Sequence, residues 1–238
     1  MSQPDISHNF KSENFDNRKA EIEFIILHYT ETSNLSTAIE LLTDNIRKVS
    51  SHYLIDTNGK IYNLVCESKR AWHAGVSNWN QMSDINSRSI GIEIVNSGEK
   101  KFAGYPSSQI SSLVNLIKYL MKKYEISIFN ILGHSDIAPL RKIDPGKFFP
   151  WRELAKNNVA VWIEKKLSSK ILESGQKQKL LINLKEIGYP HLEEFKDIKK
   201  IKKVLEAFHR RFIPELIGKV PTNTTLEISN SLLKIKNS

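Results

Sequence analysis

A histidine, a lysine and an aspartate fall within one short loop, and they are residue types that a hydrolytic metal site uses. His134, Lys142 and Asp144 lie in residues 133–151, a stretch that also contains three prolines. Imidazole and carboxylate are ligands of catalytic zinc sites, which keep one position open for water. A lysine two residues from such a ligand is well placed to stabilise a negatively charged intermediate. The loop therefore predicts a catalytic metal site that the rest of the chain must complete.

A further ligand is expected at the end of a second buried strand. His28 ends the apolar run F-I-I-L at residues 24–27, just as His134 follows the apolar run at residues 128–132. One histidine in such a place is more often a hydrogen-bonded structural residue. Two strand-end histidines in one domain favour a shared metal, and Asp144 offers the third protein ligand.

Glu93 is an acidic residue in an otherwise apolar strand. In the run S-I-G-I-E-I-V at residues 89–95, three isoleucines share one face and Glu93 points to the opposite one. A carboxylate there needs a partner or a function. Beside a metal it could act as a general base, and a structural salt bridge is the alternative that the spacing leaves open.

The elements that must position these residues alternate between strand and helix patterns. Apolar runs predict strands at residues 21–30 and 89–95, and Asn58-Gly59 predicts a hairpin within residues 52–65. Helical spacing of apolar residues is found at residues 34–45, 108–124 and 151–167. This mixture predicts an α/β fold in which a mixed central sheet is flanked by helices.

The composition changes near residue 170, where we place a domain boundary. Residues 1–170 are expected to form the metal-binding domain, and residues 171–238 a small domain of three helices. The third of these is expected to begin at Thr224, with Glu227 completing a capping box. The second part carries 13 basic and 8 acidic residues within an overall net charge of +9. A basic tail suits polyanions such as nucleic acid, anionic lipid or an acidic wall polymer, and a solvated helix face is the alternative.

Composition also limits the class of protein. No window approaches the roughly 18 unbroken apolar residues of a membrane helix, so no membrane insertion is expected. The single cysteine, Cys66, excludes an internal disulfide framework. The N-terminal residues show no secretory signal, which favours a cytoplasmic protein if Met1 is the true start, with a periplasmic or wall-associated location as the alternative.

Five segments, in order, resemble a known enzyme family. They are I-L-H-Y-T (26–30), S-H-Y-L-I (51–55), R-A-W-H-A-G (70–75), S-I-G-I-E (89–93) and the loop at 133–151. They resemble the zinc-dependent N-acetylmuramoyl-L-alanine amidases of the type 2 class, which also includes the peptidoglycan recognition proteins. Asp144 in place of cysteine and Glu93 match the bacterial branch that cleaves 1,6-anhydro-muropeptides or intact cell wall.

The resemblance implies a function and its residues. One Zn²⁺ per chain would be held by His28, His134 and Asp144, and Glu93 and Lys142 would be the catalytic pair. The bond cleaved would be the amide between N-acetylmuramic acid, or its 1,6-anhydro form, and L-alanine of the stem peptide. The implied partner is therefore peptidoglycan or a muropeptide.

Three further residues are candidates for contact with substrate. Trp72 and His73 lie in a turn-rich stretch and could line a sugar–peptide groove, with local packing as the alternative. Arg88 could pair with a peptide carboxylate, or simply face solvent.

The tail resembles a small three-helix peptidoglycan-binding module, through L-K-E-I-G-Y at residues 184–189 and the helical pattern at residues 204–212. A non-catalytic peptidoglycan receptor is the alternative to an enzyme, but a receptor needs neither the ligand set nor the catalytic pair. Binding of nucleic acid is disfavoured because the tail lacks interleaved aromatic residues.

Overall fold

The computed structural model describes residues 3–101, 104–193 and 195–237. In the described chain, six strands form the main sheet in the order β1-β5-β4-β7-β3-β8, and two more form a small antiparallel sheet, β2-β6. The strands are β1 (Ile6–Ser7), β2 (Phe15–Asn17), β3 (Phe24–Tyr29), β4 (Tyr53–Ile55), β5 (Ile61–Asn63), β6 (Lys69–Ala71), β7 (Ser89–Ile94) and β8 (Ile131–Gly133). The antiparallel pair β4–β5 is the hairpin expected around Asn58-Gly59.

Helices cover both faces of this sheet, as the predicted α/β class requires. They are α1 (Leu35–Thr43), α2 (Ile85–Arg88), α3 (Ser107–Tyr124), α4 (His134–Ile137), α5 (Trp151–Lys156), α6 (Ser174–Ile187), α7 (Ile198–Phe212) and α8 (Asn223–Lys236). The mixed sheet flanked by helices is confirmed.

One face of the central strands packs against α3. Ile25 and Leu27 of β3 share a buried cluster with the isoleucines at positions 90, 92 and 94 of β7. Leu113 and Leu116 of α3 belong to the same cluster. Because side chains alternate along a strand, Glu93 must point to the opposite face. This is the arrangement that the sequence predicts.

The opposite face is covered at two places. Leu54 and Val95 pack with Ala38 and Leu42 of α1. Phe24 and Ile26 of β3 instead belong to a large cluster that extends into the C-terminal helices, with Leu184 of α6, Phe208 of α7 and Ile228 of α8 among its members. The C-terminal helices therefore share a hydrophobic core with the sheet. The division at residue 170 stays a prediction.

The helix expected at residues 151–167 is wrong in length. The structure ends α5 at Lys156, and Asn158 adopts a left-handed conformation with φ +58°. Asparagine tolerates this conformation better than most residues, and it turns the chain so that Val159 and Ala160 become buried against the sheet. The apolar residues that imitate a helical pattern here are core contacts of an irregular segment.

The third C-terminal helix, α8, begins at Asn223 and not at Thr224 as the predicted capping box requires. Its N-cap is Thr222, whose backbone N–H donates to Thr225 Oγ1 over 3.2 Å. The hydroxyl of Thr224 is used elsewhere, since it accepts from the Ser168 N–H and donates to the Lys166 carbonyl. These bonds fasten the segment between α5 and α6 to α8. Within the described residues, no helix combines the length and apolar character needed to cross a bilayer.

Candidate active site

Three parallel strands carry the central site residues to one edge of the sheet. β3 lies between β7 and β8, and His28 is in register with Glu93. Leu27 is in register with Gly133, so His134 follows directly after β8 at the same edge. Since partners in register on parallel strands point to the same face, His28 and Glu93 lie side by side. The loop after α4 then returns Asp144 to this edge.

Three ligand atoms converge on one point. Nδ1 of His28 lies 3.0 Å from Nδ1 of His134 and 2.9 Å from Oδ2 of Asp144, and the last two atoms are 3.0 Å apart. All three residues are buried. In a tetrahedral zinc site the ligand atoms are separated by about 3.3 Å, since zinc–nitrogen bonds are about 2.0–2.1 Å. The donor set and its spacing therefore fit a zinc ion.

The far side of each imidazole is engaged by a neighbour. Nε2 of His134 lies 3.1 Å from the carbonyl oxygen of Ala74, and Nε2 of His28 lies 3.1 Å from Nδ1 of His73. Nη2 of Arg141 donates to the same carbonyl and lies 3.3 Å from Nε2 of His134, so the ring is held with Nδ1 facing the other two ligand atoms. Burial lowers the pKa of His28 to about 4, which keeps that ring neutral at pH 7, as a metal ligand must be.

Glu93 presents a buried oxygen without a partner. The residue is 8% exposed, and no described group hydrogen-bonds its Oε2. Burial, followed by the negative charge of Asp144, raises the pKa of Glu93 well above its ordinary value, and Lys142 opposes this effect. A buried unsatisfied carboxylate is costly, so its retention points to a chemical role.

The site opens into a cleft of about 580 Å³. Its lining includes the three ligand residues, Glu93 and Lys142, which the sequence had predicted to form one site. Three more cations, Arg47, Lys100 and Arg141, also line it. The cleft is therefore suited to a substrate that carries negative charge beside its reacting bond.

The three residues expected to contact substrate lie at different places. His73 is buried behind His28 and reaches the cleft wall. Trp72 donates through Nε1 to Asp16, and Arg88 forms a 2.5 Å ion pair with Glu23. Among the described residues, neither Trp72 nor Arg88 lines the cleft. Their substrate-binding roles, and that of His73, stay predictions.

Sequence reasoning missed several residues that support the site. Asn86 accepts through Oδ1 from the backbone N–H groups of His73 and Ala74. Ser89 lies 3.2 Å from the far nitrogen of His73. Gly91 leaves the space in which the His73 ring sits, because a Cβ at this position would lie 2.4 Å from its Cγ. The available signal was the glycine itself, since glycine inside a strand often marks a close approach.

Comparison with known proteins identifies the family. A family model described as N-acetylmuramoyl-L-alanine amidase (Amidase_2) matches residues 18–147. The N-acetylmuramoyl-L-alanine amidase AmiD of Escherichia coli K12 is 34% identical over 232 residues, covering 90% of this chain and 83% of AmiD. The 1,6-anhydro-N-acetylmuramyl-L-alanine amidase AmpD of Haemophilus influenzae is 46% identical over 105 residues, covering 44% of this chain and 55% of AmpD.

Solved structures agree with these relatives over nearly the whole chain. The complex of E. coli AmiD with anhydro-N-acetylmuramic acid-L-Ala-D-γ-Glu-L-Lys superposes with a TM-score of 0.81 at 31% identity, covering 92% of both chains. AmpDh3 of Pseudomonas aeruginosa gives a TM-score of 0.79 at 29% identity, covering 100% of both. The similarity thus includes the C-terminal helices as well as the sheet. The chain belongs to the N-acetylmuramoyl-L-alanine amidase family and is an enzyme of that kind.

Proposed function

We propose that this amidase is a zinc enzyme that hydrolyses the amide between 1,6-anhydro-N-acetylmuramic acid and L-alanine of a stem peptide. The observation that carries the proposal is the convergence of three ligand atoms beside a buried carboxylate oxygen for which the described residues provide no hydrogen-bond partner. His28, His134 and Asp144 would hold the ion. When bound, Zn²⁺ lowers the pKa of a water molecule and polarises a carbonyl group.

Glu93 is proposed as the general base and acid. Its Oε2, which no group in the described part of the chain bonds, lies on the same sheet face as His28. The raised pKa of Glu93 brings the carboxyl nearer to neutrality, where a group can both take up and release a proton. Glu93 takes a proton from the attacking water and returns it to the nitrogen of the departing L-alanine. The reaction needs no co-substrate.

Lys142 is proposed to stabilise the negative charge that develops on the scissile carbonyl oxygen. Its side chain lines the cleft, and its backbone N–H donates to the carbonyl of Ala138 over 3.0 Å. This bond holds the backbone of the loop that carries both Lys142 and Asp144. The ammonium group is therefore presented from a constrained segment.

The choice of substrate rests on the relatives and on charge. The AmiD complex contains an anhydro-muropeptide, and a second AmpDh3 structure contains an anhydromuramic pentapeptide. A stem peptide carries carboxylates, and Arg47, Lys100 and Arg141 line the cleft of this chain. We therefore propose an anhydro-muropeptide as substrate, with the C-terminal helices as a peptidoglycan-binding module.

Mass spectrometry of the products tests the proposal. We expect release of free stem peptides beginning at L-alanine from purified anhydro-muropeptides. Release should stop when a zinc chelator is added and return when Zn²⁺ is resupplied. Parallel digestion of purified sacculi determines whether polymer is also cleaved. His134→Ala should abolish hydrolysis without unfolding the protein, and full activity in that variant would rule out the metal assignment.

A further inference from the structure

A series of hydrogen-bonding groups begins at Nε2 of His28, the ring nitrogen opposite the ligand atom Nδ1. Nε2 of His28 is 3.1 Å from Nδ1 of His73, and Nε2 of His73 is 3.2 Å from Oγ of Ser89. The same hydroxyl is 2.6 Å from the carbonyl oxygen of Ile85. His28, His73 and Ser89 are all buried. The series therefore connects a candidate metal ligand to a fixed backbone acceptor.

The donor and acceptor of each hydrogen bond in this series follow from the Ile85 carbonyl at its end. The Ile85 carbonyl can only accept, so the Ser89 hydroxyl must donate to it. Ser89 Oγ then faces His73 as an acceptor, which places the proton of His73 on Nε2. A neutral imidazole has one donor and one acceptor nitrogen, so Nδ1 of His73 accepts from Nε2–H of His28. The remaining nitrogen of His28, Nδ1, is left as a lone pair.

The environment of His73 keeps it neutral. The residue is 5% exposed, and the rings of His28 and His52 lie at centroid distances of 5.2 and 5.5 Å. Burying an imidazolium among other imidazoles would be costly. The single ring proton of His73 therefore lies on Nε2 and is donated to Ser89 Oγ.

Two further features fix the position of the His73 ring. The backbone N–H of His73 donates to Asn86 Oδ1 over 3.1 Å. The ring itself lies against β7 at Gly91, where any side chain would collide with it. Since Gly91 is two residues before Glu93 on the same face of the strand, the ring is held immediately behind the site.

We propose that His73 and Ser89 are positioning residues that hold the proton of His28 on Nε2 and so keep its Nδ1 lone pair directed at the metal site. The inference rests on the proposed zinc function. Without the hydrogen bonds to His73 and Ser89, the short contact between Nδ1 of His28 and Asp144 favours a proton on Nδ1. A metal ion must displace that proton before it can bind.

Zinc affinity, measured by competition with a chromogenic chelator, tests the proposal. We expect His73→Phe to weaken Zn²⁺ binding by about 10–100-fold, as is usual when a group supporting a metal ligand is lost. Ser89→Ala should weaken it less. His73→Asn places an amide oxygen near the position of Nδ1, so it should recover much of the affinity. Wild-type affinity in His73→Phe would overturn the proposal.

Nitrogen-15 NMR of histidine side chains gives a readout that does not depend on activity. In the zinc-free wild-type protein, His28 should be the Nε2–H tautomer. In His73→Phe it should shift towards the Nδ1–H tautomer, bonded to Asp144. A wild-type His28 protonated on Nδ1 would contradict the inference.

His209→Phe is a matched control, because His209 is another buried histidine, lying on α7 and hydrogen-bonded to Thr225. It should lower stability and leave zinc affinity unchanged. The outcomes also separate the two proposals. A wild-type protein that binds no Zn²⁺ would refute the proposed function, whereas tight binding in wild type and in both His73→Phe and Ser89→Ala would refute only the positioning role.

Discussion

The chain contains two glutamates of equal burial in opposite environments. Glu93 and Glu67 are both 8% exposed. Glu67 accepts hydrogen bonds from Tyr53, Tyr124 and Lys123, whereas Oε2 of Glu93 has no partner among the described residues. One carboxylate is satisfied by its surroundings and the other is available for a reaction. The pair allows chemistry and stability to be tested separately.

We expect Glu93→Gln to lower kcat by about 10²–10⁴-fold, because an amide of the same shape cannot take up a proton. KM and zinc content should change little, and Tm should be equal or higher, since an unpartnered buried carboxylate is removed. Steady-state kinetics, metal analysis and thermal melting check this. Glu67→Gln is the control and should lower Tm while kcat is retained. Wild-type kcat in Glu93→Gln would remove Glu93 from the reaction.

At the scale of elements, most of the site could be predicted because strand ends are strong signals. The apolar run before His28 is a fully buried strand, and the alternation around Glu93 fixes its face. The run before His134 is a buried strand only from Ile131, because residues 128–130 form a half-buried 3-10 helix. The meeting of these residues also needs the strand order β7-β3-β8, which no local pattern contains. The helix predicted to continue after α5 is wrong, because buried residues of an irregular segment there have the same spacing as the apolar face of a helix.

Gly91 illustrates what local patterns cannot show. We expect Gly91→Ala to lower the free energy of unfolding by about 1–3 kcal/mol, because the added methyl group would overlap the His73 ring. Zinc affinity should fall as well, since His73 must move. Urea unfolding and chelator competition measure both effects.

Gly175 provides the matched control for this substitution. It lies in α6, and a Cβ at its position would meet no atom within 4 Å. Gly175→Ala should therefore stabilise the protein by about 0.5–1 kcal/mol, as alanine does within a helix. Equal stability of the Gly91→Ala protein and wild type would show that β7 and His73 are not in tight contact.

The contact between α7 and α8 should make stability depend on pH. His209 of α7 is buried and lies 3.1 Å from Thr225 of α8, and burial lowers its pKa to about 4. In the unfolded chain a histidine has a pKa of about 6.5. The unfolded state therefore binds the proton first as the pH falls, and the stabilisation that is complete above pH 6.5 is lost towards pH 4.

Comparison with His209→Gln isolates this effect, because the other histidines titrate in both proteins. Between pH 7.5 and 5.0, the free energy of unfolding of wild type should fall by about 2 kcal/mol more than that of the variant. Urea unfolding at the two pH values measures the difference. Parallel loss of stability in the two proteins would show that His209 titrates normally in the folded state.

At the scale of the whole molecule, the buried carboxylate of Asp136 joins the C-terminal helices to the catalytic loop. Asp136, two residues after His134, accepts from the backbone N–H of Gly133. It also accepts from the hydroxyl of Tyr189, over 2.8 Å, and from Nη1 of Arg211, over 2.6 Å. The last two residues belong to the segment expected to be a separate module. The shared hydrophobic core makes the same connection through apolar contacts.

We therefore expect the two parts to unfold together. Arg211→Met leaves the buried Asp136 carboxylate without its cationic partner, which should lower the free energy of unfolding by about 3–5 kcal/mol. Arg152→Met, which removes an exposed ion pair with Glu164, is the control and should cost no more than about 1 kcal/mol. Urea unfolding followed by tryptophan fluorescence and by far-UV circular dichroism should give coincident transitions in all three proteins.

The cooperative transition would mean that the C-terminal helices help to hold the loop that carries His134, Lys142 and Asp144, in addition to any role in binding peptidoglycan. Activity in the Arg211→Met protein should then disappear at the urea concentration at which the helices unfold. Separate transitions, with the helices melting first while muropeptide hydrolysis persists, would instead make residues 171–238 an independent module, as their composition alone suggests.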